Sequence, residues 1–198
     1  MTNAACGPNM IAPDLLISAY QQGVFPMAMS NGEIGWFSPN PRGIIPIDGF
    51  HVPHGLRRVL RKNPFEIRLN TAFREVIEAC AARKETWIND IIIESYCRLH
   101  ALGRAYSVEA WQDARLVGGL YGVSLNAAFF GESMFHDVRD ASKVALWALV
   151  RRLRERGYVL LDTQWTTPHL EQFGAVEIPR RHYLKILRES QSRSCQFL

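Results

Sequence analysis

The chain has 198 residues, 47% of them apolar, and a formal net charge of +4. That is enough to bury one sizeable core with a small appendage, and the positive balance is too weak to require a polyanionic partner by itself. The longest apolar runs, Ile91-Ile92-Ile93 and residues 145–150, fall far short of the roughly twenty residues of a bilayer span, which excludes a membrane-spanning helix. Residues 1–6 carry no basic region followed by an apolar stretch, so no secretory signal is expected and the protein is expected to stay in the cytoplasm. Cys6, Cys80, Cys97 and Cys195 form no CxxC pair, which argues for reduced thiols and against a zinc or redox site.

In chain order, residues 1–50 hold turn signals such as Gly23-Val24-Phe25-Pro26 and Ser38-Pro39-Asn40-Pro41-Arg42-Gly43, with one helix expected between Pro13 and Gln22. This stretch is expected to be a small, turn-rich N-terminal subdomain, with residues 51–198 as the main domain. A short basic helix, 55–62, stops at Asn63-Pro64. Phe65, Ile67 and Leu69 alternate with polar residues as in a half-buried strand. Thr71 is expected to cap a helix with Phe73, Val76, Ile77 and Cys80 on its apolar face. Asn89 is expected to cap a second helix that runs through His100 and ends at Gly103.

Strands then dominate, at 106–111, 115–123 and 127–135, with turns at Gln112-Asp113 and near Asn126. A strong helix over 141–156 ends at Gly157, and a strand follows over 158–163. A short helix has Thr167 as cap, Pro168 at its first position and Gly174 past its end. A strand at 175–178 precedes Pro179-Arg180-Arg181 and a polar tail. The order implies an α+β domain with a mixed sheet, the layout of GNAT-like N-acyltransferases.

Asp162 and Gln164 lie two apart at the end of a strand, so their side chains are expected to project from one face. A carboxylate and an amide so placed could orient an amine nucleophile, or could merely solvate the strand edge. Glu132 follows the apolar run Ala127-Ala128-Phe129-Phe130, where burial without a partner is costly; it either faces water or grips an amine. Gly118-Gly119-Leu120-Tyr121-Gly122 is glycine-rich for a strand, a sign of a bulge or a close approach. Arg57, Arg58, Arg61 and Lys62 form the densest basic patch and could meet successive phosphates or simply be solvated. Leu120, Phe129, Leu146, Leu149, Leu153 and Leu161 could wall an apolar pocket or be plain core. No GxGxxG, GxxxxGK, HExxH or GxSxG spacing appears, and the Q/RxxGxG/A run that would hold a coenzyme A pyrophosphate is missing. That weakens an acetyl-coenzyme A-dependent N-acetyltransferase, which the layout would otherwise allow, and a non-catalytic tRNA- or degron-binding module is a third reading.

Taken together, Ala19-Tyr20-Gln21-Gln22-Gly23-Val24-Phe25-Pro26, Trp36-Phe37-Ser38-Pro39-Asn40-Pro41-Arg42, Thr86-Trp87-Ile88, Gly118 to Gly122, Gly131-Glu132-Ser133-Met134-Phe135, Asp162-Thr163-Gln164 and Ile178-Pro179-Arg180-Arg181 resemble the leucyl/phenylalanyl-tRNA–protein transferase family. The similarity runs in order over about residues 10–187. The resemblance implies a GNAT-like domain behind a small N-terminal domain, moving leucine or phenylalanine from charged tRNA to proteins that begin with arginine or lysine and so creating an N-degron. It implies that Gln164 and Asp162 are the catalytic pair, with Asp162 also suited to the acceptor's basic side chain. Glu132 would hold the donor's α-amino group, and Trp87 and Tyr20 would line the adenosine and peptide sites. Leu120, Phe129, Leu146, Leu153 and Leu161 would form the aminoacyl pocket, and the helix carrying Arg57, Arg58, Arg61 and Lys62 would face tRNA. No cofactor or metal is implied, and the protein is expected to act as a monomer. Two positions depart from the family pattern: its FPW reads Phe25-Pro26-Met27, and an asparagine common after DxQ is Thr167.

Overall fold

The computed structural model describes residues 10–83 and 86–198; Cys6 and the stretch expected to lack a secretory signal lie outside them. The chain opens with α1 (Pro13–Gln21), whose proline occupies the first turn where its missing N–H costs nothing. β1 (Phe25–Ala28) and β2 (Ile34–Phe37) form an antiparallel ribbon with Phe25 opposite Phe37. β3 (Arg42–Ile45) is followed by α2 (His54–Lys62), β4 (Glu66–Leu69), α3 (Phe73–Ala81) and α4 (Asp90–Ala101). The meander is β5 (Ala105–Gln112), β6 (Arg115–Leu125) and β7 (Ala128–His136). Then come α5 (Ala141–Glu155), β8 (Leu160–Gln164), α6 (Pro168–Glu171), β9 (Val176–Ile178) and α7 (Arg180–Gln191). No described helix is long and apolar enough to cross a membrane.

The fold is mixed α+β, as the element order implies. One seven-stranded sheet runs β4-β5-β6-β7-β8-β3-β9. Its β7–β8 pair is parallel and its other pairs are antiparallel. Period-two alternation sends neighbouring residues to opposite layers. Tyr121, Phe130 and Leu160 join a core with α1, α3, α4 and α7, while Leu120, Phe129 and Leu161 join one with α2 and α5. α5 meets that second core through Ala145, Leu146, Leu149, Val150 and Leu153 at helical spacing, each buried leucine contributing about 1.5–3 kcal/mol. The glycine run on β6 lets the helix come close: a Cβ on Gly118 would lie 2.5 Å from Cβ of Ala141.

Several local expectations change in the tertiary setting. Thr71 does not cap α3; its N–H and hydroxyl, with the Ala72 N–H, donate to the Glu109 carboxylate, which reaches across from β5. Burial would raise the Glu109 pKa, but these donors, together with the Ser107 hydroxyl and the Trp111 indole, hold it below its ordinary value. Asn89 and Thr167 do cap α4 and α6, accepting from the N–H groups of Ile92 and Leu170. The stretch after Pro179, expected to be a polar tail, forms α7, held by buried Tyr183, Leu187 and Ser190. β3 falls inside the stretch 1–50, yet it lies between β8 and β9 in the main sheet, and Leu16, Tyr20 and Phe25 share a core with Phe130 and Tyr183.

Candidate active site

β7 and β8 pair from Ala128↔Leu160 to Phe130↔Asp162 and then separate. β7 stays paired with β6, with a bulge that leaves Glu132 unpaired between Gly131 (opposite Gly122) and Ser133 (opposite Tyr121), and β8 ends against β3, where the register shifts at Gly43. A cavity of about 760 Å³ opens in the gap. Glu132 and Met134 of β7 line one wall, Leu161, Thr163 and Gln164 of β8 the other, and Leu146 and Leu149 of α5 close the base. The ribbon adds Phe25 and Met27, and the Trp87 carbonyl accepts from the Ala28 N–H at 3.0 Å, which ties the Trp87 loop to the cavity mouth.

Glu132 is the carboxylate set into the apolar wall. Tyr20 Oη donates to its Oε1 at 2.7 Å and Tyr96 Oη to its Oε2 at 3.3 Å, and the two hydroxyls also touch each other. Burial pushes the Glu132 carboxyl up to about 8 against the lowering effect of the Tyr20 hydrogen bond, and the nearby Asp162 charge adds to the rise. Burial and the Glu132 charge raise both tyrosines well above their ordinary range, so their hydroxyls stay protonated as donors. The result is an acceptor that gains most from ionising when a cation arrives beside it. Between its unfolded value near 4.5 and about 8 the folded protein binds the extra proton, so stability should fall as pH rises through that window. At about 1.4 kcal/mol per unit the change is on the order of a few kcal/mol. Denaturant midpoints measured from pH 5 to 8.5 should show this slope in the wild type and a flatter profile in Glu132→Gln; equal slopes would remove Glu132 as its source.

Asp162 is wholly buried and does not reach the cavity wall. Its Oδ1 accepts from Arg42 Nε at 2.9 Å and from the Gln164 N–H at 2.8 Å; its Oδ2 accepts from Arg42 Nη2 at 2.7 Å and from Tyr183 Oη at 2.7 Å. The expectation that Asp162 and Gln164 share a face therefore needs correcting. Strand periodicity would direct both into the Tyr20–Phe130 core, but Gln164 has φ of +60°, a left-handed conformation that turns its side chain toward the cavity. The chain doubles back there, with the Trp165 N–H donating to the Thr163 carbonyl at 2.6 Å. Gly43 makes room for this turn, since a Cβ there would sit 2.4 Å from the Trp165 carbonyl carbon.

Among the residues expected at the site, Trp87, Glu132, Gln164, Leu120, Leu146 and Leu161 line the cavity. Phe129 and Leu153 do not; both are fully buried behind it, Phe129 against Phe197 at 5.3 Å between ring centroids. Tyr20 is likewise buried, below Glu132 rather than on the wall. Arg57, Arg58, Arg61 and Lys62 are exposed on α2, and none of them forms an ion pair among the described residues. Of the two departing positions, Met27 and Thr167 both line the cavity. Sequence reasoning placed Arg42 and Tyr121 within motifs but gave them no role, and it missed Tyr96 and Tyr183. A polar group inside a local pattern does not reveal its distant partner.

Three buried polar atoms, Tyr121 Oη, Thr163 Oγ1 and Gln164 Nε2, have no hydrogen-bond partner among the described residues, and all three belong to residues that line the cavity. Orphaned buried groups are uncommon and costly, about 1–3 kcal/mol each, so a ligand offering polar atoms would relieve them. Among the described residues no three His, Cys, Asp or Glu side chains gather as a metal-ligand group.

The sequence matches the model of the leucyl/phenylalanyl-tRNA protein transferase family over residues 44–188, and the model of that family's N-terminal domain over residues 9–40. It is 56% identical over 188 residues to the leucyl/phenylalanyl-tRNA–protein transferase of Herpetosiphon aurantiacus, covering 94% of this chain and 98% of that one. With the protein of the same name from Akkermansia muciniphila it shares 54% over 185 residues, covering 91% and 96%. Among solved structures it aligns with L-PGS from Bacillus licheniformis at 12% identity and a TM-score of 0.44, covering 82% of this chain and 56% of that one. It also aligns with a GCN5-related N-acetyltransferase-like protein from Streptococcus suis at 17% and 0.42, covering 83% and 63%, so it spans less than two thirds of either. By its family models and its close, near-full-length relatives, the chain belongs to the leucyl/phenylalanyl-tRNA–protein transferase family.

Proposed function

We propose that this protein moves leucine or phenylalanine from charged tRNA to the N-terminal amine of proteins that begin with arginine or lysine, acting as a monomer in the cytoplasm and marking its targets for degradation. The names of its close relatives support the donor and the reaction. The observation that carries the reading at the site is one cavity holding a tyrosine-clamped carboxylate, an apolar wall and an unpartnered amide. These are the three features an aminoacyl ester and an incoming amine require. The gap between splayed parallel strands also fits a GNAT-like acyltransferase layout.

Glu132 pairs with the donor's α-ammonium, which supplies the positive charge its raised pKa calls for. The wall of Leu120, Leu146, Leu149 and Leu161 receives the leucine or phenylalanine side chain. Such a surface separates side chains by only about 1–3 kcal/mol per methylene, so methionine is accepted as a weaker donor. Trp87 offers a face for the terminal adenosine. The ester is already activated, so the enzyme's main task is to align the amine with the carbonyl; Gln164 holds the amine while Asp162 supports Gln164 from behind. Because Asp162 is saturated by protein donors and its charge is paired with the Arg42 guanidinium, it does not serve the acceptor's basic side chain; its part is to hold Gln164.

Arg57, Arg58, Arg61 and Lys62 face tRNA phosphates. Neutralising three of them should weaken tRNA binding and lower the slope of log K against log salt by about three; an unchanged slope would remove α2 from the interface. The function itself is tested by incubating the protein with tRNA carrying labelled phenylalanine and peptides that differ only in their first residue. Label is expected on peptides that begin with arginine or lysine, and no label on any peptide would reject the assignment.

A further inference from the structure

Arg42 is the largest fully buried side chain among the described residues, and its guanidinium reaches no solvent. Nε and Nη2 form a fork on the two oxygens of Asp162, while Nη1 donates to the Gly23 carbonyl at 2.9 Å. Its plane is held between the Phe25 ring, 4.9 Å away, and the Tyr183 ring, 4.4 Å away. A buried ion pair of this kind contributes little net stability compared with apolar packing of the same volume. Its consequence here is geometric: each Asp162 oxygen accepts two hydrogen bonds, so the carboxylate cannot rotate without breaking some of them. One of the four comes from the Gln164 N–H, and that bond holds a non-glycine residue in the left-handed region, where the backbone alone would relax.

We propose that Arg42 is a positioning residue for Gln164: it locks the Asp162 carboxylate, and the locked carboxylate fixes the backbone turn that aims the Gln164 amide into the cavity. The same guanidinium ties the Gly23 carbonyl, in the α1–β1 connection, to the end of β8, so the N-terminal segment sets the geometry of the reacting end of the sheet. The inference rests on the transferase reading, in which Gln164 meets the attacking amine. Lysine could replace the charge but not the fork, because an ammonium is a point donor that cannot span both carboxylate oxygens and Gly23 in one plane.

The test is a double-mutant cycle in the phenylalanine transfer assay with the full chain. Arg42→Lys is expected to lower kcat roughly tenfold to a hundredfold, as small misplacements of reacting groups do, with KM for tRNA and for peptide unchanged. Tyr183→Phe, which removes one hydrogen bond from Asp162 and is milder for folding, should lower kcat less. In a Gln164→Ala background neither substitution should reduce kcat further, because both act through that side chain. If Arg42→Lys fails to fold, the Tyr183→Phe cycle carries the same test. Additive losses in that background, a loss confined to KM, or wild-type kcat in a folded Arg42→Lys protein would overturn the inference while leaving the transferase reading intact. Wild-type transfer by Gln164→Ala alone would overturn the role of Gln164, and the inference with it.

Discussion

Asp162→Ala is expected to destabilise the protein by about 3–5 kcal/mol, the range seen when one partner of a buried ion pair is removed. The substitution strands the Arg42 guanidinium in a site with no solvent and leaves the Tyr183 hydroxyl and the Gln164 N–H without their acceptor. For a chain of this size each 1 kcal/mol moves the melting temperature by about 2–4 °C, so a drop on the order of 10 °C should be visible by calorimetry. Turnover of the folded protein should fall as well, by up to the roughly 10²–10³ expected for loss of Gln164, but the two losses are separable. Replacing both members of the pair with apolar residues, as in Arg42→Met with Asp162→Leu, should recover much of the stability without restoring transfer. A wild-type melting temperature for Asp162→Ala would contradict the burial and saturation of this carboxylate.

Gln164→Ala is expected to reduce kcat by about 10²–10³, comparable to removing one well-placed polar group from an acyl-transfer site, while leaving the melting temperature close to wild type. The residue is 6% exposed, and its Nε2 has no partner among the described residues, so truncation breaks no described side-chain hydrogen bond from that nitrogen and stability should not suffer. The amide therefore differs from Asp162 in the readout it moves: one governs turnover, the other both turnover and folding. A Gln164→Ala protein that turns over normally would show that the cavity aligns its substrates without this side chain.

Much of the architecture was legible because it follows local periodicity. The α5 stripe, the meander with its turns at Asp113 and Asn126, and the caps at Asn89 and Thr167 are short-range patterns that the tertiary structure leaves in place. Elements that depend on distant partners were not legible. β3 is four residues long and gains its identity from β8 and β9. α7 is rich in charge, and its buried positions, Tyr183, Leu187 and Ser190, matter only because a sheet face awaits them. Thr71 looked like a helix cap, but a buried carboxylate from β5 offered its donors a stronger acceptor.

At the site, the residue types and their spacing by themselves marked Asp162, Gln164 and Glu132 as chemical candidates, because polar groups inside apolar runs are costly and need a reason. Spacing also suggested one shared face, and there it misled: strand periodicity assumes extended backbone, whereas Gln164 is left-handed. Only the folded chain decided that Asp162 is sealed beneath the cavity, that Gln164 opens into it, and that Phe129, Leu153 and Tyr20 lie behind the wall instead of on it. The physical reason is that periodicity encodes which side of a strand or helix a residue occupies. Which distant group it meets there, as Arg42 meets Asp162 across 120 positions of sequence, depends on closing the sheet.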